Sequence, residues 1–344
     1  MSDLRPPIVP RPRPGSSRDP ATFGARPRNL RAGWVRLLTP HGPQAEVAVT
    51  DPVFEHPDVQ RLIEVAIAED LRDEGDVTSR VIPEEASCTA HVVYREGGVV
   101  CGLPLAEQVL TRIAPGASWT AHNVDGDRVA PGAVVAEIKG RARGVLAAER
   151  LLLNLLQRLG GVATATRRFA DAIQGTTARV LDTRKTTPGW RLLEKYAVRT
   201  GGGVNHRFGL YDQVLLKDNH LALLGGETRL GEVVARAREA APPGTPVEIE
   251  VTTQEGALEA SRAGAEIVLL DNMDPPTLAV TVEKVRHDAH ARGAEPPLLE
   301  ASGGIDLETI AGFAQTGVDR ISTGWITHSS PALDVALDFL PLES

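Results

Sequence analysis

The chain has 344 residues, of which 42% are hydrophobic and 24% are charged, and its formal net charge is −8 at pH 7. This length and composition are typical of a globular protein with two domains and substantial cores. The acidic balance excludes a protein that works mainly by coating nucleic acid phosphates, no apolar run is long enough for a membrane span, and the two cysteines cannot make a disulfide framework or a four-ligand zinc site.

Residues 1–50 differ in composition from the rest of the chain. They hold eight arginines, no lysine, three acidic residues and 9 of the 25 prolines. This proline density excludes a helix interior or a central strand, so we predict a disordered Pro/Arg-rich extension or a misassigned start codon. The segment lacks the apolar core of a secretory signal, and its prolines argue against an amphipathic transit peptide. A basic anchor for an acidic partner is the alternative.

The next hundred residues mix helical and strand patterns. Residues 56–71 carry apolar side chains at helical spacing, and residues 88–103 alternate as a hairpin would, with Gly97-Gly98 at the bend. Further strands are predicted between turn signals at Asp125-Gly126 and Pro131-Gly132. A long apolar helix follows over 144–174, and we predict that Gly160-Gly161 breaks it.

The remainder of the chain alternates short apolar strands with helices. The predicted strands are 178–184, 213–218, 247–252, 266–272, 298–304 and 319–324. Repeated βα units imply parallel strands, and nearly every strand here ends in a polar or charged residue. A (β/α) barrel builds its active site at those strand ends, so the pattern predicts both an architecture and a place for chemistry. A doubly wound sheet is the main structural alternative.

A basic cluster occupies several of these strand ends. Arg184, Lys185, His206, Arg207 and Lys217 lie on strand ends or nearby loops of an otherwise acidic domain. Arginine grips a carboxylate or phosphate with a planar fork and lysine acts as a point charge, so the cluster predicts an anionic ligand rather than five unrelated surface charges. The glycines at 201–203 would let backbone approach that ligand or let a loop move.

An acidic pair lies nearby in the sequence. Glu248 and Glu250 share one face of a strand, and Asp271 ends the next strand. We expect Glu250 and Asp271 to lie close together, where carboxylates could hold Mg²⁺, bind ribose hydroxyls or stabilise a developing cation. For Glu248 we instead predict a paired structural charge inside the barrel.

Two glycine-containing loops follow the last two predicted strands, at 302–305 and 322–325. Backbone amides in such loops cradle phosphate, and barrels often place a phosphate site there. Arg150, on the long apolar helix, has the spacing of a charged residue at the rim of an apolar face. The sequence contains no zinc-protease, serine-hydrolase or P-loop motif, which favours charge handling over covalent catalysis.

The segment LDTRKTTPGWRLLEKYAVRTGGGVNHRFGLYDQVLLKDNHL closely resembles the signature of the quinolinate phosphoribosyltransferase family. The similarity extends over about residues 54–340 and includes ERLLLNLLQRLGGVAT, VEIEV, VLLDNM, EASGGI and DRISTGWITHS. Residues 1–50 have no recognisable counterpart. The resemblance implies an N-terminal α/β sandwich-like domain over 51–160, an incomplete (β/α) barrel over 161–330 and a C-terminal segment, 331–344, that returns to the N-terminal domain.

The resemblance also implies a reaction. Quinolinate and 5-phosphoribosyl-1-pyrophosphate would combine with Mg²⁺ to give nicotinate mononucleotide, CO₂ and pyrophosphate, a step of de novo NAD synthesis. The implied enzyme is a cytoplasmic homodimer with shared active sites, or a larger assembly of such dimers, without nucleic acid or membrane partners. In the family, the arginine that matches Arg150 crosses the interface to reach the substrate, which replaces its interpretation as a rim residue.

The resemblance assigns roles residue by residue. Lys185, Glu250 and Asp271 match catalytic positions, and the two carboxylates also match positions near the metal, directly or through substrate or water. The implied substrate-binding residues are Arg150, Thr183, Arg184, His206, Arg207, Lys217, Ser302, Gly303, Gly304, Ser322, Thr323 and Gly324. Trp190 and Trp325 stand where smaller apolar residues are expected, and the sequence does not determine their effect on the loops.

Other functions fit parts of the pattern. The nearest alternatives share the scaffold: a pyrophosphorylase-like protein associated with molybdenum transport, or a nicotinate phosphoribosyltransferase. Nicotinate carries one carboxylate and would not need the full basic set. A catalytically silent barrel that binds an anion or a partner, and a Schiff-base aldolase that uses Lys217, come from different classes.

Overall fold

The computed structural model describes residues 51–224 and 229–341. The extension predicted over 1–50 and the last three residues of the predicted C-terminal segment lie outside the described residues. Residues Ala48–Ser344 belong to one compact unit. No helix in the described ranges is long and apolar enough to cross a membrane.

Helices and strands follow the sequence pattern closely in the second half of the chain. The helices are α1 (Pro57–Leu71), α2 (Leu103–Ile113), α3 (Ala142–Ala172), α4 (Arg191–Thr200), α5 (Asp218–Leu223), α6 (Leu230–Ala240), α7 (Gln254–Arg262), α8 (Pro275–Ala291), α9 (Ile310–Ala314) and α10 (Trp325–His328), with short 3₁₀ helices at Pro52–Glu55 and Ser79–Val81. The strands are β1 (Ser87–Tyr94), β2 (Gly98–Val99), β3 (Ser118–Ala121), β4 (Arg128–Val129), β5 (Ala133–Arg141), β6 (Arg179–Leu181), β7 (Val214–Leu216), β8 (Val247–Val251), β9 (Ile267–Asp271), β10 (Leu298–Ser302), β11 (Arg320–Ser322) and β12 (Val335–Phe339).

Capping side chains fix where the helices after the central strands begin. Thr253 accepts a hydrogen bond from the Gly256 amide at the start of α7, and Asp274 accepts one from the Thr277 amide at the start of α8. Each cap satisfies an amide that the first helical turn leaves without a partner. The chain therefore turns within a few residues of each strand end, which keeps the strand-end loops short.

The first layer is an antiparallel sheet of four strands in the order β12-β1-β5-β3. Its edge strand β12 comes from the C-terminal end of the chain and pairs with β1, with Val335 opposite Tyr94. The hairpin predicted over 88–103 is wrong, because β1 pairs with β5 and β12, whereas β2 pairs with β4. Alternating hydrophobicity identifies a strand but carries no information about a partner that lies far along the chain.

The second layer is a parallel sheet of six strands in the order β6-β11-β10-β9-β8-β7. Strands β7 to β11 are neighbours in chain order and β6 follows β11, which is the cyclic order of a barrel. A doubly wound sheet would reverse its order in the middle. Among the described residues β6 and β7 form the two open edges, so the barrel is incomplete. The predicted fold class, with its two kinds of sheet, is confirmed.

Helix α3 runs without interruption through the predicted break at Gly160-Gly161, so that prediction is wrong. A Cβ atom at Gly161 would lie 2.0 Å from the carbonyl oxygen of Pro331, and one at Gly160 would lie 3.0 Å from the Leu333 side chain. The two glycines thus let the C-terminal segment cross the helix at contact distance on its way to β12. The domain boundary predicted at residue 160 falls inside this continuous helix.

Replacing Gly161 with alanine tests this crossing. We expect Gly161→Ala to lower the free energy of unfolding by at least about 2 kcal/mol, because the added methyl group collides with backbone that cannot rotate away. Urea denaturation of the purified variant measures the change. Gly231→Ala is the matched control, because Gly231 lies in α6 with nothing within 4 Å of its Cβ position, and it should be neutral or slightly stabilising. Equal stability of the two variants would contradict the crossing.

Candidate functional site

The carboxyl ends of the six parallel strands bring most of the predicted site residues to one edge of the sheet. Parallel strands point the same way, so the residues that follow them meet at that edge. Thr183, Arg184 and Lys185 follow β6, Lys217 follows β7, Glu250 lies in β8, Asp271 ends β9, Ser302 ends β10 and Ser322 ends β11, while His206 and Arg207 occupy the loop before β7.

Two arginines at this edge, Arg184 and Arg207, form no ion pair with any residue that the structure describes. Arg184 is exposed, and in the described parts of the chain its side chain forms no hydrogen bond or ion pair. Arg207 is half-buried and donates from Nη1 to the backbone oxygen of Gln213 at 3.2 Å. Burial and the charge of Arg184 lower the pKa of Arg207. Two guanidinium groups close enough to repel each other favour an anion between them.

Glu250 and Asp271, the predicted acidic pair, lie on the same face of the sheet but at different heights along the strands. Glu250 is the register partner of Leu269, so Asp271 lies two residues nearer the strand end. The Glu250 carboxylate forms an ion pair with Lys217, and that carboxylate is 12% exposed. Asp271 is partly exposed and accepts a hydrogen bond from the Asn272 side chain at 2.5 Å. The two carboxylates therefore have different surroundings: one is neutralised and the other is available.

The two glycine-containing loops lie side by side. The Thr323 hydroxyl donates to the Ile305 carbonyl at 2.8 Å, and a Cβ atom at Gly324 would meet the Lys185 side chain at 2.8 Å. Gly303 and Gly304 have φ values of 102° and 60°, and within the described ranges their amides form no hydrogen bond. Two successive free amides in left-handed backbone suit an anion.

Hydroxyl groups in these loops have structural partners. Thr323 also accepts from the Trp325 amide at 3.2 Å, and the buried Ser322 side chain is one of the groups that lower the pKa of the Glu300 carboxyl group against the effect of burial. The Thr183 hydroxyl accepts from the Lys185 amide at 3.0 Å. The hydroxyls of Thr183 and Thr323 thus help to shape the loops, and the substrate contacts of Thr183, Ser322 and Thr323 stay a prediction.

His206 is 6% exposed and lies between two buried carboxylates. Its Nε2 is 3.1 Å from Glu248 and 3.4 Å from Glu300, whose other oxygen lies 2.9 Å from Arg320. The prediction that Glu248 is a paired structural charge is confirmed. Glu300 and Arg320 were missed, although a charged residue inside an apolar strand is the sequence signal of such a pair.

Opposing influences act on the charge of His206. Burial opposes the charged ring, whereas contacts with Glu248 and Glu300 raise its pKa to about 9. The Arg207 amide, however, donates to Nδ1 at 2.7 Å, which only an unprotonated Nδ1 can accept. That hydrogen bond places the ring proton on Nε2, between the carboxylates. Burial and the charge of Glu300 raise the pKa of Glu248.

His206, Glu248 and Glu300 are also the one group of three potential metal ligands within the described ranges. Arg320 offsets one of the two carboxylate charges, and the ring proton of His206 lies between the two carboxylates. The predicted metal-site residues, Glu250 and Asp271, are not part of it.

The buried pair of Lys195 and Asp182 supports the loop that carries His206 and Arg207. Lys195 and Asp182 are fully buried and form an ion pair, and Asp182 also accepts from the His206 amide at 2.9 Å and from the Asn205 side chain at 2.6 Å. Lys195 donates to the His206 carbonyl at 2.9 Å. Burial raises the pKa of Asp182 and lowers that of Lys195, so each charge depends on the other.

The loop that carries Arg184 and Lys185 has its own anchor. Buried Glu194 accepts from the Thr187 amide at 3.1 Å and from Arg158 on α3 at 2.7 Å. The predicted role of the glycines at 201–203 is wrong for two of them, because Cβ atoms at Gly201 and Gly203 would meet Thr166 on α3 at 2.6 and 2.8 Å. These glycines allow close packing against α3 rather than approach to a ligand.

Arg150 and the two tryptophans complete the predicted set. Arg150 is exposed on α3 and forms no contact with the strand-end residues in the described parts of the chain. Trp325 is partly buried, with its ring 5.5 Å from that of Phe169 on α3. Trp190 packs against the core as well. Both tryptophans fill space between a site loop and the protein interior.

Comparison with known families matches nearly the whole described chain. Residues 76–160 match the N-terminal domain of quinolinate phosphoribosyl transferase, and residues 162–338 match the C-terminal domain. A probable carboxylating nicotinate-nucleotide pyrophosphorylase of Bacillus subtilis is 41% identical over 285 residues, which cover 83% of this chain and 94% of the relative. A carboxylating nicotinate-nucleotide pyrophosphorylase of Mycobacterium leprae is 42% identical over 276 residues, or 79% and 94% of the two chains.

Solved structures give the same result. The nicotinate-nucleotide pyrophosphorylase of Francisella tularensis superposes with a TM-score of 0.77 at 38% identity and covers 85% of this chain and 100% of its own. That of Ehrlichia chaffeensis superposes with a TM-score of 0.75 at 34% identity, with coverage of 82% and 98%.

The buried Lys195–Asp182 pair makes a prediction about stability. Lys195→Met keeps the volume but leaves the Asp182 carboxylate buried and unpaired, which should cost about 3–5 kcal/mol of unfolding free energy. Lys139→Met is the matched control, because Lys139 pairs with Glu137 at the surface, and it should cost at most about 1 kcal/mol. Urea denaturation of both variants measures the difference. A loss in Lys195→Met no larger than in the control would refute the dependence of Asp182 on Lys195.

Proposed function

Because this chain belongs to the quinolinate phosphoribosyltransferase family, we propose that it carries out the family's reaction at the carboxyl edge of its parallel sheet. The enzyme transfers the phosphoribosyl group of 5-phosphoribosyl-1-pyrophosphate to quinolinate with decarboxylation, giving nicotinate mononucleotide, CO₂ and pyrophosphate in NAD biosynthesis. The observation that carries the choice of site is the pair of guanidinium groups, Arg184 and Arg207, that form no ion pair among the described residues.

Quinolinate fits this pair by charge. It carries two carboxylates on adjacent ring carbons, and two planar guanidinium forks with a nearby lysine can neutralise both. Lys217 supplies that lysine at the next strand end, although Glu250 shares its charge. Nicotinate has a single carboxylate, so a site with this number of basic groups would leave some of them unpaired in the nicotinate complex.

The glycine-containing loops suit the other substrate. The free amides of Gly303 and Gly304 can donate to the 5-phosphate, and Gly324 leaves room for the Lys185 side chain beside the same loops. Lys185 would then face the phosphate or pyrophosphate charge. With one substrate held at each end of the sheet edge, the pyridine nitrogen is directed at the anomeric carbon of the ribose.

The chemistry that follows is mostly charge stabilisation. Positive charge grows on the ribose ring as pyrophosphate leaves, and the nearby Asp271 carboxylate stabilises it. Attack by the pyridine nitrogen converts the ring to a pyridinium. The positive ring nitrogen stabilises the electron pair left on the neighbouring carbon when its carboxylate leaves as CO₂, and a proton from water then takes the place of the carboxylate, so decarboxylation needs no separate cofactor.

A magnesium ion fits part of this donor set. Mg²⁺ prefers carboxylate and phosphate oxygens, and the partly exposed Asp271 offers such an oxygen, directly or through water. The Glu250 carboxylate is engaged by Lys217, so its contribution would require that ion pair to open. When bound with the substrate, the ion would supply positive charge to the pyrophosphate leaving group.

Arg150 supports a homodimer with shared active sites. It is exposed and has no partner within the described parts of its own chain, as expected of a residue that reaches a neighbouring subunit. Dimers of this kind could assemble further. A cytoplasmic location belongs to the same proposal, and the two free cysteines are compatible with a reducing compartment.

Replacing Arg184 tests the substrate assignment. Arg184→Ala should lower kcat/KM for quinolinate by about 100-fold, because a carboxylate loses a charged hydrogen-bond partner. Its melting temperature should not change, since Arg184 contacts nothing that stabilises the fold. Arg229→Ala is the control, because Arg229 is an exposed arginine on a different loop, where it pairs with Glu232, and it should retain full activity. The readout is nicotinate mononucleotide and CO₂ formed from quinolinate, with nicotinate as the comparison substrate.

Each result of that assay has a defined meaning. Product from quinolinate with equal CO₂ supports the carboxylating activity. Product from nicotinate alone would assign the chain to the nicotinate-specific relatives, and no product from either would favour a transport-associated or silent scaffold. Borohydride should trap no adduct on Lys217 with a carbonyl substrate, which separates the transferase from a Schiff-base aldolase.

Subunit mixing tests the shared site. Arg150→Ala and Arg184→Ala should each be inactive alone, but a mixed dimer has one site with both arginines intact when Arg150 comes from the partner. Random reassociation of equal amounts should therefore restore about a quarter of wild-type activity. The two variants are denatured together, refolded and assayed, with each variant refolded alone as control. No recovery, with dimers present by light scattering, would place Arg150 outside the neighbouring site.

A further inference from the structure

The exposed Lys185 side chain lies over the glycine-containing loop that follows β11. A Cβ atom at Gly324 would meet the Cδ atom of Lys185 at 2.8 Å, so the lysine stem passes directly over that glycine. In the described parts of the chain, the ammonium group of Lys185 forms no hydrogen bond or ion pair. A lysine stem is flexible, so the side chain by itself does not keep the ammonium group at this place. Its position therefore depends on what holds the backbone of Lys185.

A buried hydroxyl group holds that backbone. Thr327, in the short helix α10, is fully buried, and its Oγ1 donates to the Lys185 carbonyl at 2.8 Å. The same hydroxyl lies 3.0 Å from the carbonyl of Gly324, at the start of α10. Because β6 and β11 are neighbours in the sheet, this hydroxyl joins the loops that follow the two strands. It therefore fixes the backbone of Lys185 relative to Gly324.

Thr327 is itself held by an ion pair. Its carbonyl accepts from the guanidinium of Arg158 on α3, which also donates to buried Glu194 at 2.7 Å. Glu194 accepts from the amide and from the hydroxyl of Thr187, at 3.1 and 2.8 Å. The loop that carries Lys185 is thus anchored at the Lys185 carbonyl and at Thr187, and both anchors lead back to Arg158. The Thr327 hydroxyl is therefore a fixed point from which this loop is positioned.

We propose that Thr327 is a positioning residue for 5-phosphoribosyl-1-pyrophosphate and that it acts on this substrate only through Lys185. The inference rests on the proposed function, because it assigns Lys185 to phosphate or pyrophosphate charge. Thr327 does not contact the substrate, since its hydroxyl is buried and already has a partner. Its hydrogen bond sets the backbone from which the Lys185 ammonium group reaches the substrate, so the loop needs little reordering when the substrate binds.

Two substitutions at Thr327 separate the hydroxyl from the volume that it fills. Thr327→Ser keeps the donor and loses a methyl group, whereas Thr327→Val replaces the donor with a methyl group. A methyl group cannot approach the Lys185 carbonyl to 2.8 Å, so the Val variant also pushes that carbonyl away. Thr281→Val is the matched control, because Thr281 is equally buried and its hydroxyl bonds to the carbonyl of Thr277 in its own helix, α8.

The experiment is steady-state kinetics with quinolinate, 5-phosphoribosyl-1-pyrophosphate and Mg²⁺ on these three variants, on Lys185→Met and on the double variant that combines Lys185→Met with Thr327→Val. We expect Thr327→Val to raise KM for 5-phosphoribosyl-1-pyrophosphate about tenfold, while Thr327→Ser and Thr281→Val stay within about threefold of wild type. The KM for quinolinate should change less than about twofold in all three. In the Lys185→Met background, Thr327→Val should add almost nothing, because its effect passes through the missing ammonium group.

Three results would overturn the inference. Equal KM values for 5-phosphoribosyl-1-pyrophosphate in the Ser and Val variants would show that the hydroxyl contact is irrelevant. An equal rise in KM for both substrates, or the same rise in the Thr281→Val control, would show only a loosened fold. Effects of Thr327→Val and Lys185→Met that multiply in the double variant would separate Thr327 from Lys185. Melting temperatures identify a Val variant that fails to fold, and Thr327→Ala then replaces it, with the same expected rise in KM.

Wild-type turnover is measured first, so that failure of the proposed reaction is distinct from failure of this inference. An active wild type with an unchanged Val variant overturns the inference alone. An inactive wild type overturns the proposed function, and 5-phosphoribosyl-1-pyrophosphate with Mg²⁺ is then titrated by calorimetry into the wild type and into the Val variant. Binding that is about tenfold weaker in the Val variant supports the inference, and equal binding or no binding to either protein overturns it.

Discussion

The exposed basic edge of the sheet depends on charges buried directly beneath it. Arg184 and Arg207 repel each other, and neither forms an ion pair among the described residues. Two buried groups beneath the edge hold their loops. These are the Lys195–Asp182 pair and the group formed by His206, Glu248 and Glu300. Charges taken out of water lose their hydration, so each buried group is stable only with its partner in place. That dependence fixes the geometry of the edge in the absence of an anion.

This arrangement divides work between two kinds of polar residue. The groups that remain available to a ligand are guanidinium groups, a partly exposed carboxylate and the amides of two glycines. The groups that shape those positions are buried carboxylates, a buried lysine and loop hydroxyls such as that of Thr323. Loops held in this way need little further ordering when a ligand binds, because their geometry is already set in the folded chain.

Helix α3 connects this edge to the rest of the molecule. Through Arg158 it contacts Glu194 beneath the Arg184 loop and also the backbone carbonyl of Ser330 at 3.1 Å. The glycines at its centre admit the C-terminal segment, which continues into β12 and completes the antiparallel sheet. Helix α3 thus contacts Glu194 beneath the Arg184 loop and also the C-terminal segment that leads into β12. Its position therefore links the parallel sheet to the antiparallel sheet.

The sequence by itself determined the local elements of this protein and the residue types at its strand ends. All six parallel strands, the basic cluster and the glycine-containing loops are visible in it, because strand periodicity and strand-end chemistry are properties of neighbouring residues. Only the tertiary structure decided which strands pair, what the glycines contact and which polar side chains remain available. β12 meets β1 across most of the chain, Gly161 meets Pro331, and the nitrogens of His206 meet groups on three other segments. Such contacts join residues distant in sequence, and no local pattern encodes a partner that only folding brings near.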